Sequence, residues 1–266
     1  MLKRRLIPVL YIKNGLIVRS EKFSYHQNLG NVQTEAKRYT EWDVDELIYI
    51  DITRDGTHDL RRDDLRVKQN QNAGTIELLQ QISEVCFMPL TFGGHVYTMD
   101  DVISRISNGA DKITLNTAAF NTPELITRVA EYYGRQCVVI STDYRIIEKK
   151  PIVFVENGMK NTGVHLFDWV ERVEKLGAGE HFLNAIDRDG MANGYDIENL
   201  KAVTEYTGIP VIAAGGAGDF FDFADLANET KVSGIAAGNI FHFTENSYPR
   251  AKKLLIENNV NVRIAR

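Results

Sequence analysis

The sequence predicts an α/β fold, a closed (β/α)8 TIM barrel, on three observations. Eight short apolar runs rich in β-branched residues recur along the chain, amphipathic stretches separate them, and the two halves echo each other at equal intervals. Near-continuous apolar strands are buried on both faces, which parallel strands beneath helices provide. Eight such units close into a barrel. With 266 residues and 44% hydrophobic content, the chain can bury one full core, so a single barrel domain over 1–266 is expected.

The strand runs are, in order, LIPVLYI (6–12), LIYID (47–51), MPLTF (88–92), KITLN (112–116), CVVIST (137–142), HFLNAI (181–186), PVIAAG (210–215) and SGIAAG (233–238). Helical patterns with apolar positions three and four apart fall between them in TEAKRYTEW, GTIELLQQISE, TPELITRVAEYY, FDWVERVEKLG and IENLKAVTEY. The echo between halves links LIYIDITRDG (47–56) to FLNAIDRDG (182–190) and FGG (92–94) to AGG (214–216). Gly93 to Asn116 is 23 residues and Gly215 to Gly238 is again 23, which reads as a duplicated half-barrel. In that register Tyr11, ending strand one, corresponds to Asp143, ending strand five.

Three connections are long. RSEKFSYHQNLGN (19–31) reads as a loop able to close over a ligand, and TRDGTHDLRRDDLRVKQNQNAG (53–74) as a mobile charged loop over the barrel mouth. RIIEKKPIVFVENGMKNTG (145–163) has two extended stretches around turn residues, which predicts a hairpin after strand five.

The two glycine pairs sit where a strand gives way to a loop and helix. Glycine lets backbone amides approach a phosphate closely, so two such pairs predict two phosphate sites and a ligand with two anionic ends. Gly94, Asn116 and Thr117 are assigned to the first site, and Gly190, Gly216, Gly238 and Asn239, with Asp189 beside them, to the second. Arg19 is a further candidate anion contact, and His95 either binds an anion or ties down its loop.

Asp51, Asp143, Asp187 and Asp189 fall at or just beyond strand ends, where barrel chemistry is done. A carboxylate in a partly desolvated mouth can have its pKa raised to a value useful for proton transfer, and Asp143 at the strand tip is the leading candidate. At the opposite end Arg5, Glu46, Lys112 and Glu180 stand at strand starts, two of each sign. They read either as a stabilising ion-pair ring on the barrel floor or as a gate for something small.

The net charge of −5, with scattered basic residues, shows no footprint for nucleic acid. No run approaches membrane-spanning length. Cys86 and Cys137 lie by apolar runs without metal-ligand spacing, which reads as reduced core thiols of a cytoplasmic protein. Nothing calls for a metal or another cofactor.

The ordered motifs IKNG, DELIYIDIT, GADKITLNTAAF, NTG, DWVERVEKLGAGE, IDRDG, GYD, AAGGAG, FHF and NVNVR resemble the cyclase subunit (HisF) family of imidazole glycerol phosphate synthase over essentially the whole chain. The resemblance implies a barrel that partners a glutaminase subunit, takes ammonia along its axis and uses it on a bisphosphorylated ribonucleotide at the mouth. It implies that Arg5, Glu46, Lys112 and Glu180 are the family's gate, and that Asp111 and Gln136 face the glutaminase. Asp143 matches one of two catalytic aspartates, and Tyr11 falls where the other belongs. His95 replaces a common third glycine, Arg19 replaces a lysine, and the loop after strand two is expanded.

A phenol with an ordinary pKa of about 10 is a poor substitute for a carboxylate in proton transfer near neutrality. An intact floor beneath an altered mouth therefore favours a paralogue resembling the surface-polysaccharide branch of the family. There, such a pair is thought to supply ammonia to a separate sugar amidotransferase. The alternative is the histidine-pathway cyclase, with Asp143 making both proton transfers or Tyr11 assisting. A third reading is a catalytically silent barrel that binds a phosphorylated metabolite and activates a partner enzyme.

Overall fold

A computed structural model describes residues 3–54, 74–243 and 245–264. In chain order the first half comprises β1 (Arg5–Lys13), β2 (Leu16–Glu21), β3 (Tyr25–Asn31), α1 (Val32–Glu41), β4 (Leu47–Asp51), α2 (Thr75–Ser83), β5 (Leu90–Gly93), α3 (Met99–Ser107), β6 (Lys112–Leu115), α4 (Thr117–Asn121) and α5 (Glu124–Tyr133). The second comprises β7 (Val138–Ile147), β8 (Lys150–Val155), β9 (Lys160–His165), α6 (Leu166–Leu176), β10 (Glu180–Ala185), α7 (Ile197–Tyr206), β11 (Val211–Ala214), α8 (Phe220–Glu229), β12 (Gly234–Ala237), α9 (Ile240–Phe243) and α10 (Ser247–Glu257).

Strands β1, β4, β5, β6, β7, β10, β11 and β12 pair in parallel in that order, and β12 pairs back on β1, which closes the barrel. All eight predicted strands are present at their predicted places. The two halves share more than their strands. Each opening strand, β1 and β7, continues into an antiparallel hairpin, β2–β3 in one half and β8–β9 in the other. The helices behind the two glycine pairs, α3 and α8, both begin with a capping box, Thr98 with Asp101 and Asp219 with Asp222.

The hairpin after strand five is as expected. Residues 19–31 differ from expectation: they are strand for most of their length rather than loop. Leu16, Ile17 and Val18 pair with β1 and nucleate the extension, and the polar YHQNLGN segment follows by pairing with β2. Most of the predicted mouth loop 53–74 lies outside the described residues. Cys86 and Cys137 are free and half-buried, so they border the core rather than fill it.

Strand side chains alternate between faces. Leu6, Leu10 and Ile12 of β1 join the large apolar cluster between barrel and helices, whereas Ile7, Val9 and Tyr11 join a separate cluster inside the barrel. The inner column on β1 therefore reads Arg5, Ile7, Val9, Tyr11 from floor to mouth. On β10 it reads Glu180, Phe182, Asn184, and on β6 Lys112, Thr114, Asn116.

Candidate functional site

At the floor, Arg5, Glu46, Lys112 and Glu180 close into a ring of alternating charge. Arg5 pairs with both Glu46 and Glu180. Lys112 Nζ stands 3.0 Å from a carboxylate oxygen of each glutamate. Thr91 Oγ1 donates to Glu46 at 3.1 Å. Burial alone would make Lys112 easier to deprotonate, but Glu180 and Glu46 outweigh it and hold the ammonium charged.

The strand starts that carry Arg5 and Glu46 are themselves clamped from the C-terminal end. Asp45 accepts from the Leu6 amide at 2.9 Å, from Lys252 at 2.6 Å and from Arg263 Nε at 2.8 Å. Glu46 and Glu180 are almost fully buried, so removing one cation leaves charge uncompensated. Lys112→Met is expected to cost about 3 kcal/mol, the lower end for a broken buried pair because Arg5 still faces both carboxylates. The midpoint of urea unfolding measures it.

At the mouth, a cavity of about 510 Å³ is lined by Tyr11, Phe23, Asp51, Gly94, His95, Asn116, Thr117 and Asp143 among others. Asp143 is buried and accepts from Asn116 Nδ2 at 3.1 Å and from Asn184 Nδ2 at 3.3 Å. Burial pushes its pKa up to about 7. The two amide hydrogen bonds oppose that shift, the nearby Asp189 adds to it and Arg145 opposes it. The parallel register sets Asp143 beside Asn184, and the same Asn184 amide donates to the Tyr11 hydroxyl at 3.3 Å.

Tyr11 is therefore both wall and polar neighbour. Its ring packs edge-on against Phe23 at 5.3 Å, and its hydroxyl belongs to the Asn184–Asp143 cluster. Burial first, and then the charges of Asp189 and Asp143, drive its pKa well above the ordinary 10, so the phenol stays neutral.

The two glycine groups are not brought into one cavity. Gly94, Asn116 and Thr117 line the mouth cavity, but the Asn116 side chain is committed to Asp143 and to the Ser141 carbonyl. Thr117 Oγ1 donates to Asn116 and accepts from the Glu156 amide. Gly94 has φ +96, and a Cβ there would lie 2.1 Å from the Asp51 carbonyl oxygen, so only glycine fits.

The second group lies under the β2–β3 hairpin. Asn239 forms a two-way clasp with the backbone of Ser20, donating at 2.6 Å and accepting at 3.2 Å. A Cβ on Gly190 would lie 2.1 Å from the Ser20 carbonyl oxygen, and the Asp189 carbonyl accepts from the Lys22 amide at 2.7 Å. Asp189 thus holds the hairpin turn through its carbonyl, and the Asn239 side chain serves the hairpin rather than an open anion site. Gly216 and Gly238 border this group through tight backbone approaches to Gly194 and Val9.

Arg19 pairs with Glu21 at 3.3 Å and lies over the Phe243 ring. Asp51 is buried and accepts from the Thr53 amide and Thr75 Oγ1, and Asp187 accepts from the Ile146 amide, so both hold loops. His95 adopts φ +54 with Nε2 at 3.9 Å from the Asp51 carboxylate. Asp111 and Gln136 are exposed just before β6 and β7, on the same side as the floor ring.

Two contributing residues escaped the sequence reading. Asn184 is a polar residue on the inward face of an apolar strand, a signal available in HFLNAI. Buried Arg105 donates to the Gly94 and His95 carbonyls and fixes the first glycine loop; its signal is an arginine on the apolar face of VISRIS. Among the described residues no group of three or more His, Cys, Asp and Glu could hold a metal ion, and no helix is long and apolar enough to cross a membrane.

A family model described as histidine biosynthesis protein matches residues 5–247. The chain is 37% identical over 265 residues to "Imidazole glycerol phosphate synthase subunit HisF" of Natranaerobius thermophilus, covering 99% of this chain and all of the relative. It is 37% identical over 270 residues to the protein of that name in Buchnera aphidicola, and 36% over 264 in Streptococcus mutans, again across 99% of this chain and all of each relative. A closed barrel of eight parallel strands matched end to end by these relatives makes the chain a member of the HisF family, the cyclase subunits of imidazole glycerol phosphate synthase.

Proposed function

We propose that this chain is the synthase subunit of a glutamine amidotransferase. In this reading it receives ammonia from a glutaminase partner through the floor ring and uses it in imidazole glycerol phosphate formation, as in histidine biosynthesis. One observation carries the reading: a carboxyl poised near neutrality, Asp143, stands at the mouth end of the inner column whose floor end is the charged ring. Between them the column is mostly apolar, with Ile7, Val9, Ile48, Val139, Phe182 and Ile212, and uncharged where Thr114 and Ser141 interrupt it. Such a path favours uncharged ammonia over ammonium, because an unpaired charge pays a heavy desolvation penalty there.

The chain's own residues supply the following. A carboxyl with a pKa of about 7 is split between its two forms at neutral pH, so Asp143 can give or take a proton. Asn116 and Asn184 fix its two oxygens. Gly94 and Thr117 on one side, and Gly190, Gly216, Gly238 and Asn239 with Asp189 and Arg19 on the other, are the proposed footholds for the two phosphates. The second group is reached when the hairpin clasp through Ser20 opens. Asp111 and Gln136 belong to the proposed glutaminase-facing surface.

The test is imidazole glycerol phosphate formation by the purified chain with ammonium salt, and then with a glutaminase and glutamine. Measurable turnover with ammonium salt is expected, and its absence with intact ligand binding overturns the reading. Lys112→Met is expected to reduce glutamine-driven turnover while sparing ammonium-driven turnover, since external ammonia reaches the mouth without crossing the floor.

Tyr11 favours a second reading, in which ammonia is delivered to a separate sugar amidotransferase of surface-polysaccharide synthesis. Taken alone, that substitution puts sugar amidation first. The family model and the curated relatives support the histidine-pathway reading better. The second reading predicts glutaminase stimulation and ammonia transfer without imidazole product.

A further inference from the structure

A second chamber, of about 700 Å³, adjoins the mouth cavity and contains neither glycine group. Its wall carries Lys13, His26, Arg54 and Arg145, together with Asn14, Ser24 and Asn157, and no carboxylate among the described residues. On a chain with net charge −5, four basic side chains around one hollow with no acid among them is a strong local bias.

The basic groups are also short of partners. Both ring nitrogens of His26 and Nε of Arg145 are shielded from solvent and make no hydrogen bond. Buried polar atoms nearly always find a partner, and an anion's oxygens in the chamber would supply one to these nitrogens. Lys13 adds positive potential at His26. Arg145 is held in place by stacking over the Phe154 ring at 5.0 Å.

The chamber adjoins the mouth but is separately built. Phe23 divides them, with its ring edge-on to Tyr11 at 5.3 Å on the mouth side and to His26 at 6.3 Å on the other. Phe23, Arg54, Asn157 and Met159 line both cavities. The turn beside the chamber runs through the left-handed region at Glu156, Asn157 and Gly158, with φ of 56, 56 and 73. At Gly158 any Cβ would lie 2.6 Å from Ile186 and 3.3 Å from Phe23, so the backbone is pressed against the divider.

We propose that this chamber binds a phosphate or diphosphate group of a small molecule, as a third anion site beside the two glycine groups. Arg145 and His26, both half-buried, are its donors, and Lys13 and Arg54 supply its charge. Arginine and histidine donors converging on a hollow fit the oxygens of a phosphate, and the volume leaves room for a diphosphate. Because the chamber shares Phe23, Arg54, Asn157 and Met159 with the mouth cavity, the two lie side by side and a ligand held at the mouth would have a charged end near it. The site does not depend on which ammonia acceptor the protein serves.

Carbon–proton NMR spectra of the histidine rings of the full chain test this, with His26→Gln identifying the His26 signal. Pyrophosphate, inorganic phosphate and a sugar phosphate are titrated separately at constant ionic strength, with chloride as control. A saturable shift of the His26 signal is expected with at least one of the three, and the one that saturates at the lowest concentration identifies the source. Arg145→Gln is expected to raise the midpoint about tenfold, the usual loss for one charge-assisted hydrogen bond. Exposed Lys13→Gln, which leaves the packing intact, is expected to raise it about threefold. A non-saturating drift equal to that with chloride overturns the proposal, and so does a midpoint unmoved by both Arg145→Gln and Lys13→Gln.

Discussion

Asp143→Asn is expected to lower ammonium-driven turnover by about two to four orders of magnitude and, in the same protein, to raise thermal stability at pH 8. Both effects come from one buried carboxyl. Its pKa is pushed from an ordinary 3.8 up to about 7 in the folded protein, so folding holds the proton more tightly than the unfolded chain does. Below about pH 4 both states are protonated and the group costs nothing. As pH rises from about 4 to about 7 the unfolded chain is ionised while the folded Asp143 keeps its proton, so the folded state loses stability until Asp143 ionises as well. Every tenfold difference in proton affinity between the two states is worth about 1.4 kcal/mol.

Asparagine removes the ionisation and with it the slope. The new amide faces two donors, Asn116 and Asn184, but Asn184 Oδ1 has no partner, so a flip of Asn184 can receive it. Melting temperatures of wild type and variant are expected to differ clearly at pH 8 and to converge at pH 4. Wild-type turnover is expected to change with pH near 7, and the residual activity of the variant to lose that dependence. An equal difference in melting temperature at both pH values would show that Asp143 carries no buried charge.

The barrel was legible because its strands are buried on both faces and therefore apolar almost throughout, with charge confined to their ends. That is why Arg5, Glu46, Lys112 and Glu180 could be gathered on one floor before any coordinates, and why Tyr11 and Asp143 could be placed at one mouth. Period-two alternation carries each inner column upward from the floor.

What the sequence hid depends on contacts between distant positions. Ser20 and Asn239 are 219 residues apart, and nothing in either segment announces that the asparagine clasps the hairpin. The same contact covers the second glycine group, so motifs that read as an open anion site are found beneath β2. The β3 strand was hidden for a different reason, since YHQNLGN has no apolar alternation and is extended only because β2 gives it a pairing edge. Gly94 illustrates the limit of motif reading, because the approach of the Asp51 carbonyl already demands a glycine whether or not a phosphate ever binds.

Tyr11→Asp is expected to raise imidazole glycerol phosphate formation by about two orders of magnitude, the usual worth of one acid–base group, at the cost of about 3 kcal/mol of stability. The loss follows from deleting a buried ring that packs on Phe23. The gain follows from charge. A carboxyl at position 11 would share its surroundings with Asp143 and Asp189, whose charges already act on the Tyr11 hydroxyl. Like charges in a desolvated pocket raise one another's pKa and titrate as a coupled set, so the new acid would also exchange protons near neutrality. Tyr11→Phe is the matched control. It removes only a hydroxyl that accepts from Asn184 and does not ionise, so turnover is expected to change less than about threefold. If Tyr11→Phe instead abolishes product and Tyr11→Asp restores none, the phenol itself donates the proton. The wall residue beside Phe23 would then be a second acid with a different chemistry, and the reaction would run on an aromatic where the family resemblance implies a carboxylate.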